Sequence, residues 1–149
     1  MFKHILVPTD GSPLSEGAAL RSVQFARALG ARITALHVSP EFHVLSYRAE
    51  VLEDTRDEYE RDSQAHADRY LAFVTKAASE SGIACDTVRC VNDHVYECIL
   101  DEARRRGCDC IAMASHGRRG VAGMLLASQT QLVLTHSAIP VLVWRQAAE

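Results

Sequence analysis

The stretch that decides the fold is HILVPTDGSP, at residues 4–13. A short apolar run with strand-forming residues leads into a polar turn, after which Ser12 can serve as a helix N-cap with Pro13 at the first helical position. Small and apolar residues then recur at helical spacing as far as Leu29, and Gly30 is a typical helix stop. The stretch therefore predicts a strand, a loop and a helix in direct succession.

The same succession repeats along the rest of the chain. Further strands are predicted at residues 33–38, 85–91, 108–114 and 140–144, and further helices at about 48–81, at 95–106 and between the last two strands. Apolar strands that alternate with helices are typical of a parallel sheet covered on both faces. We therefore predict an α/β fold with one domain over residues 1–149, interrupted by a loop between about 39 and 50.

Composition excludes several classes of function. The net charge is −3 and only Lys3 and Lys76 are lysines, so the chain has no broad cationic surface for nucleic acid. No apolar run approaches the ~18–20 residues of a membrane span, and the N-terminus lacks the features of a signal peptide. The five cysteines are an odd number spread through predicted strands and a helix, unlike a secreted disulfide framework. We expect a cytoplasmic protein with reduced thiols and no membrane or nucleic-acid partner.

A binding site is expected at one edge of the sheet. Right-handed crossovers place the loops after the first and fourth strands at the carboxyl ends of the strands. In open α/β sheets, ligands bind outside these ends, where the strand order reverses.

The loop after the fourth strand is rich in features that favour anion binding. The loop forms the first part of the segment ASHGRRGVAGMLLASQTQ, which spans residues 114–131. Its three glycines expose backbone N–H groups, and Ser128 with Gln131 fits a capping box whose helix would present free N–H groups to a phosphate. The alternative is a glycine-rich turn into a capped helix that holds no ligand. Neither common phosphate fingerprint, G-x-x-x-x-G-K-[ST] or G-x-G-x-x-G after a strand, is present.

Other reactive residues carry weaker patterns. Cys108 and Cys110 are two residues apart and are expected on the same face of a strand, as small buried hydrophobic residues, because no paired metal-ligand spacing accompanies them. The nucleophile elbow G-x-S-x-G is absent, so Ser115 beside His116 does not indicate a hydrolase. We predict no metal site and no catalytic residue.

The chain resembles the universal stress protein family over nearly its full length, from KHILVPTDGS at residues 3–12 to SAIPVLV at 137–143. The family's ATP signature is G, two residues, G, nine residues, G and Ser or Thr. Here the spacing is kept, but Ala114 and Ala127 replace two of the three glycines, while Gly117 and Ser128 match. The resemblance implies a Rossmann-like, adenine nucleotide alpha-hydrolase-like fold with strand order 3-2-1-4-5, and ATP bound with Mg²⁺.

The resemblance also assigns positions to the nucleotide and to a partner. It implies nucleoside contacts from Pro8, Thr9, Asp10 and Val38, sugar contacts from Met113 and Ala114, and phosphate contacts from Gly117, Ser128, Gln129 and Thr130, with Ala127 inside the signature. Two residues keep an alternative, since Asp10 can bind ribose or close a turn and His116 can touch a phosphate or fill a loop position. The resemblance further implies a homodimer through the last strand, with Val141, Leu142 and Val143, an apolar edge that would otherwise stay open.

These features lead to one expectation with two alternatives. The first is a stress-response regulatory protein in which ATP occupancy changes a dimer or partner surface. The second is a slow ATPase or autophosphorylating phosphotransferase. The third is a dimeric interaction protein that does not bind nucleotide.

Overall fold

Strands and helices alternate along the chain in the computed structural model, which describes residues 1–43, 49–116 and 121–145. Within these residues the elements are β1 (His4–Pro8), α1 (Pro13–Leu29), β2 (Arg32–Ser39), α2 (Ala49–Glu80), β3 (Cys85–Val91), α3 (Val95–Arg105), β4 (Cys110–Ala114), α4 (Val121–His136) and β5 (Val141–Trp144). No helix of the described residues has the length and apolar character needed to cross a membrane.

The five described strands form one sheet in the order β3-β2-β1-β4-β5, and every neighbouring pair is parallel. The predicted α/β fold and strand order are therefore confirmed. The chain adds β2 and β3 on one side of β1 and then crosses to add β4 and β5 on the other. The strand order consequently reverses between β1 and β4, which places the expected binding crevice there.

Two hydrophobic cores lie on opposite faces of the sheet. Ile5 and Val7 of β1 pack with residues of α1 and α2, and Leu6 between them packs with Ile99 of α3 and Val133 of α4. Successive strand residues point to opposite faces, so β1 contributes to both cores. This explains why β1 is apolar throughout and does not alternate with polar residues.

The predicted limits of α1 are confirmed in detail. Ser12 is the N-cap, and its Oγ accepts a hydrogen bond of 3.2 Å from the Ser15 N–H, with Pro13 following at the first helical position. Gly30 ends the helix in the left-handed conformation with φ of 66°. These caps fix the direction in which α1 leaves the end of β1.

The predicted start of the final helix at Ser128 is wrong. Helix α4 begins at Val121, so Ser128 and Gln131 lie inside the helix and form no capping box. Leucine, methionine and alanine dominate residues 121–127, and their high helix propensity favours a helix that continues through this stretch. The backbone N–H groups of residues 128–130 are therefore used within the helix, because only the first four N–H groups of a helix lack an internal partner.

The prediction for Cys108 and Cys110 is correct on burial and wrong on direction. Both are buried, at 6% and 1% exposed, but β4 begins only at Cys110. Cys108 belongs to the core beside α3 and α4, whereas Cys110 belongs to the core beside α1 and α2. The two-residue alternation of a strand does not extend to Cys108, because that residue lies in the turn before the strand.

The edge strand β5 is joined to α1 by its last residue. The indole Nε1 of Trp144 donates a 2.9 Å hydrogen bond to the Ser22 Oγ, and its ring lies edge-on to Phe25 with centroids 6.3 Å apart. The guanidinium of Arg21 lies 5.9 Å from the indole centroid. Trp144 thereby fixes the end of β5 against the middle of α1.

Candidate functional site

A cavity of about 340 Å³ opens at the carboxyl ends of β1 and β4, where the strand order reverses. Its described lining comes from the ends of β1, β2 and β4 and from the segments that follow β1, β2, β3 and β4. The lining residues are Pro8, Thr9, Asp10, Ser15, Leu36, Val38, Pro40, Asn92, Asp93, Val95, Ile99, Met113, Ala114 and Gln129. This volume and largely apolar lining are typical of a site for a small organic ligand.

The turn after β1 is held by side-chain hydrogen bonds. The Ser15 Oγ accepts from the Asp10 N–H at 3.1 Å and donates to the Thr9 Oγ1 at 3.0 Å, which also accepts from the Gly11 N–H at 3.2 Å. The Asp10 Oδ1 accepts from the Ser12 N–H at 2.9 Å. Asp10 therefore keeps both of its alternatives, closing the turn and binding a ribose. One carboxylate oxygen closes the turn, and the residue also lines the cavity.

Gly11 is required in this turn for two reasons. Its φ is +76°, a conformation that L side chains rarely adopt, and a Cβ built there would lie 2.2 Å from the Cε1 of Tyr70. The Tyr70 ring itself packs edge-on against His37, with centroids 5.1 Å apart. Helix α2 thus presses an aromatic ring against the turn that carries Asp10.

The end of β2 also supports the Thr9 backbone. The Thr9 N–H donates to the Leu36 carbonyl at 2.8 Å, and the buried His37 ring lies with Nδ1 2.8 Å from the Thr9 carbonyl. Because a carbonyl only accepts, the Nδ1 of His37 carries the proton in this hydrogen bond. The turn is therefore held from both sides, and Val38 follows directly in the cavity wall.

The β4 side of the cavity is built differently from the prediction. The buried Thr130 donates its hydroxyl to the Ala114 carbonyl at 3.0 Å, and the Gln129 Oε1 accepts from the Tyr96 N–H at 2.8 Å. Tyr96 is in the first turn of α3, where His94 at the N-cap position supplies no side-chain bond. Gln129 therefore acts as a cap supplied by α4 for α3. These two hydrogen bonds give Thr130 and Gln129 positioning roles.

Of the other predicted residues that the structure describes, His116, Ser128 and Thr130 are not part of the cavity lining. Ser128 is exposed, and His116 is exposed with its Nδ1 2.9 Å from the Ser115 Oγ. Gly117 lies outside the described residues, as does the side chain of Ala127. The structure thus brings together Pro8, Thr9, Asp10, Val38, Met113, Ala114 and Gln129.

Several lining residues were missed by sequence reasoning. They are Ser15, Leu36, Pro40, Asn92, Asp93, Val95 and Ile99. Asn92 and Asp93 follow β3, so the rule that located the loops after β1 and β4 would have found them had it been applied to every strand. Val95 and Ile99 were recognised only as the apolar face of a helix, a pattern that does not separate core residues from cavity walls.

The charged side chains in the described lining are both acidic, Asp10 and Asp93. Hydrogen bonding from the Glu41 N–H, together with the neighbouring His43, lowers the pKa of Asp93. Burial raises the pKa of the nearby Cys90 thiol to about 12, assisted by Cys98 and Glu102. Cys90 is consequently protonated at neutral pH and is a poor nucleophile.

A smaller cavity of about 220 Å³ lies on the α1 side of the β4 end. It is lined by Pro13, Leu14, Gly17, Ala18, Arg21, Ala114, Ser115, Trp144 and Arg145. Ala114 lines both cavities, so the last residue of β4 separates them.

Comparison with known proteins assigns this architecture to a family. The model of the universal stress protein family matches residues 1–145. Universal stress protein YxiE of Bacillus subtilis (strain 168) is 30% identical over 97% of this chain and all of its own length.

Solved structures share the fold over almost the whole chain. The structure of MJ0577, a protein of Methanocaldococcus jannaschii, has a TM-score of 0.80 and 28% identity, covering 100% of this chain and 99% of that one. A universal stress protein in complex with cAMP has a TM-score of 0.71 and 24% identity, covering 98% and 99%. A family protein of Arabidopsis thaliana with AMP bound has a TM-score of 0.67 and 18% identity, covering 98% and 93%. The chain belongs to the universal stress protein family.

Proposed function

We propose that this chain binds an adenine nucleotide, ATP with Mg²⁺ in the first instance, in the cavity between the ends of β1 and β4. The observation that carries the proposal is the cavity itself, in which the Asp10 carboxylate stands at the end of β1 beside an apolar wall that includes Val38 and Met113. A carboxylate at this place suits ribose hydroxyl groups, and apolar side chains suit a purine base. Structural neighbours that hold cAMP and AMP support the same ligand class.

Binding is proposed here without rapid turnover. Phosphoryl transfer is accelerated by cations placed around the γ-phosphate. Apart from the Mg²⁺ that accompanies ATP, the charged side chains of the described lining, Asp10 and Asp93, are both acidic and do not stabilise developing negative charge. We propose a cytoplasmic stress-response regulator in which nucleotide occupancy changes a dimer or partner surface.

The dimer is proposed to form through β5. Residues Val141–Trp144 are half-buried, and within the described residues the strand pairs on one side only, with β4. An apolar strand with an open edge is a template for pairing with a second copy. Sedimentation velocity is expected to give a dimer at micromolar concentration, and a monomer would contradict this part of the proposal.

Calorimetric titration with MgATP, AMP and cAMP tests the nucleotide site. Asp10→Asn is the informative variant, because an asparagine Oδ1 can still accept from the Ser12 N–H while the charge is removed. We expect its affinity to fall about tenfold or more, since a hydrogen bond to a charged group contributes about 1.5–3 kcal/mol. Asp57→Asn, at an exposed carboxylate of α2, serves as the matched control and should bind as the wild type does.

A second variant blocks the cavity without changing its charge. Val38→Phe adds volume to the wall at the end of β2 and is expected to abolish measurable nucleotide binding while the far-ultraviolet circular dichroism is retained. The proposal fails if none of the three nucleotides gives saturable heat with the wild type. It also fails if both Asp10→Asn and Val38→Phe bind with wild-type affinity.

A further inference from the structure

Three potential metal ligands meet at the rim of the cavity. Glu41 and His43 follow β2, and Asp93 follows β3, yet one ligand atom from each lies within 4.8 Å of the others. The His43 Nε2 and the Asp93 Oδ2 are 2.5 Å apart. Because the three residues come from two segments about 50 positions apart, no local spacing in the sequence could indicate them.

The segment that carries two of these ligands is held in place by contacts outside the cluster. The Tyr59 hydroxyl on α2 donates to the Pro40 carbonyl at 2.8 Å, and the Phe42 ring lies 5.3 Å from the Tyr59 ring. The Glu41 N–H donates to the Asp93 Oδ1 at 3.0 Å. Helix α2 and the turn after β3 therefore hold the backbone of the segment that carries Glu41 and His43.

The chemistry of the three donors selects a class of ion. One imidazole nitrogen with two carboxylates suits a first-row divalent metal such as Zn²⁺, whereas Mg²⁺ and Ca²⁺ prefer oxygen alone. Bonds of about 2.0–2.2 Å place three such donors roughly 3.4 Å from one another. The ligand atoms lie within 4.8 Å of one another, and the His43 Nε2 and Asp93 Oδ2 must move apart from 2.5 Å and give up their hydrogen bond when an ion enters.

The position of the cluster gives it a connection to the cavity. Asp93 belongs both to the cavity lining and to the cluster, and Pro40 of the lining directly precedes Glu41. The charged groups of the described lining are acidic. The side chains of His43 and Asp93 are 68% and 34% exposed, which leaves space on the outer side for water or another ligand. A cation at this rim would neutralise Asp93 at the entrance to the cavity.

We propose that Glu41, His43 and Asp93 form a binding site for a divalent transition metal of the Zn²⁺ class at the mouth of the cavity. The site has three protein ligands and at least one open coordination position, the arrangement seen where a metal also binds water or a small molecule. The bound ion connects the segment after β2, through Glu41 and His43, to the turn after β3, through Asp93. The site does not depend on nucleotide binding, and its occupant is the metal alone.

Calorimetric titration of untagged, chelator-treated protein with ZnCl₂, in the absence of nucleotide, tests the site. We expect one equivalent to bind, and His43→Ala to weaken binding by about tenfold or more. Glu41→Gln should act in the same direction. Glu58→Gln, at an exposed carboxylate on α2, is the matched control and should leave the affinity unchanged.

A Co²⁺ titration followed by absorption separates this site from the five cysteines. Nitrogen and oxygen ligation gives weak visible bands, whereas a thiolate ligand adds an intense charge-transfer band in the near ultraviolet. We expect the former, with loss of the visible bands in His43→Ala. His43 is exposed, so this variant is expected to keep the wild-type unfolding curve without metal.

Three outcomes would overturn the inference. The first is the absence of saturable Zn²⁺ binding, which would leave only a hydrogen bond between His43 and Asp93. The second is an equal Zn²⁺ affinity in the wild type and in His43→Ala. The third is a thiolate charge-transfer band with Co²⁺. None of these measurements contains nucleotide, so they cannot be confused with failure of the proposed function.

Discussion

Replacing Gly11 by alanine tests the contact between α2 and the turn that carries Asp10. The backbone term comes from φ of +76°, where an L side chain costs about 1–2 kcal/mol. The steric term comes from a Cβ placed 2.2 Å from the Tyr70 Cε1 and 2.3 Å from its Cδ1. Moving a packed aromatic ring costs about 1–3 kcal/mol, so Gly11→Ala is expected to lower the free energy of unfolding by about 2–5 kcal/mol.

Gly82 offers a matched control for the backbone term. Its φ is +70°, yet a Cβ there would meet nothing within 4 Å. Urea denaturation of Gly82→Ala should therefore show only about 1–2 kcal/mol of destabilisation. The difference between the two variants isolates the contact with Tyr70.

A double-mutant cycle with Tyr70→Ala completes the measurement. Once the ring is removed, the loss caused by Gly11→Ala should shrink to the value found for Gly82→Ala. The same variants can be titrated with nucleotide, and Gly11→Ala should weaken binding because the turn that positions Asp10 must shift. The reasoning is refuted if Gly11→Ala and Gly82→Ala are equally stable, or if the Tyr70→Ala background leaves their difference unchanged.

Three further predictions concern hydrogen bonds and pH. Thr130→Val leaves the last carbonyl of β4 without its buried hydroxyl donor and should lower the free energy of unfolding in urea by about 1–3 kcal/mol. Thr135→Val, at an exposed hydrogen bond on the same helix, should lower it by less than about 0.5 kcal/mol. Equal losses in the two variants would contradict this prediction. Gln129→Met removes the acceptor that caps α3 at the Tyr96 N–H and should lower the free energy of unfolding by about 0.5–2 kcal/mol. Gln129→Glu keeps an acceptor and should lower it by less. A larger loss in Gln129→Glu than in Gln129→Met would argue against a cap. Burial, followed by the charge of nearby Arg32, lowers the pKa of His4 in the folded chain. Near and below the unfolded-state pKa of about 6.5 the unfolded chain therefore binds more protons, and the free energy of unfolding falls as the pH drops through about 6.5. His4→Gln should flatten that fall, and parallel curves for the variant and the wild type would exclude His4 as the cause.

The fold was predictable because its signals are local. The N-cap at Ser12 and the stop at Gly30 each depend on residues within one helix turn, and both are confirmed. The apolar strands indicated a covered parallel sheet without any knowledge of their partners. The resemblance to a family then added the strand order, which local patterns alone do not contain.

The site was less predictable because its contacts are distant in sequence. The reason for a glycine at position 11 lies with Tyr70 on α2, and the partner of Gln129 is a backbone N–H on α3. A capping box at Ser128 fits a helix start as a pattern, but helix propensity upstream outweighs it. Sequence reasoning therefore located the edge of the sheet at which the cavity opens. It misjudged the backbone N–H groups near Ser128, which are used inside α4.

The bond between the Trp144 indole and Ser22 has a practical consequence. The chain contains one tryptophan, so its fluorescence comes from a single place in the fold. That indole lines the smaller cavity together with Ala114, the residue that the smaller cavity shares with the larger one. The protein thus contains one intrinsic fluorophore, which is the partner of Ala114 in the sheet and lies at the edge of β5. Its emission would report a ligand in the larger cavity and a second copy paired with β5 as a change at the same residue.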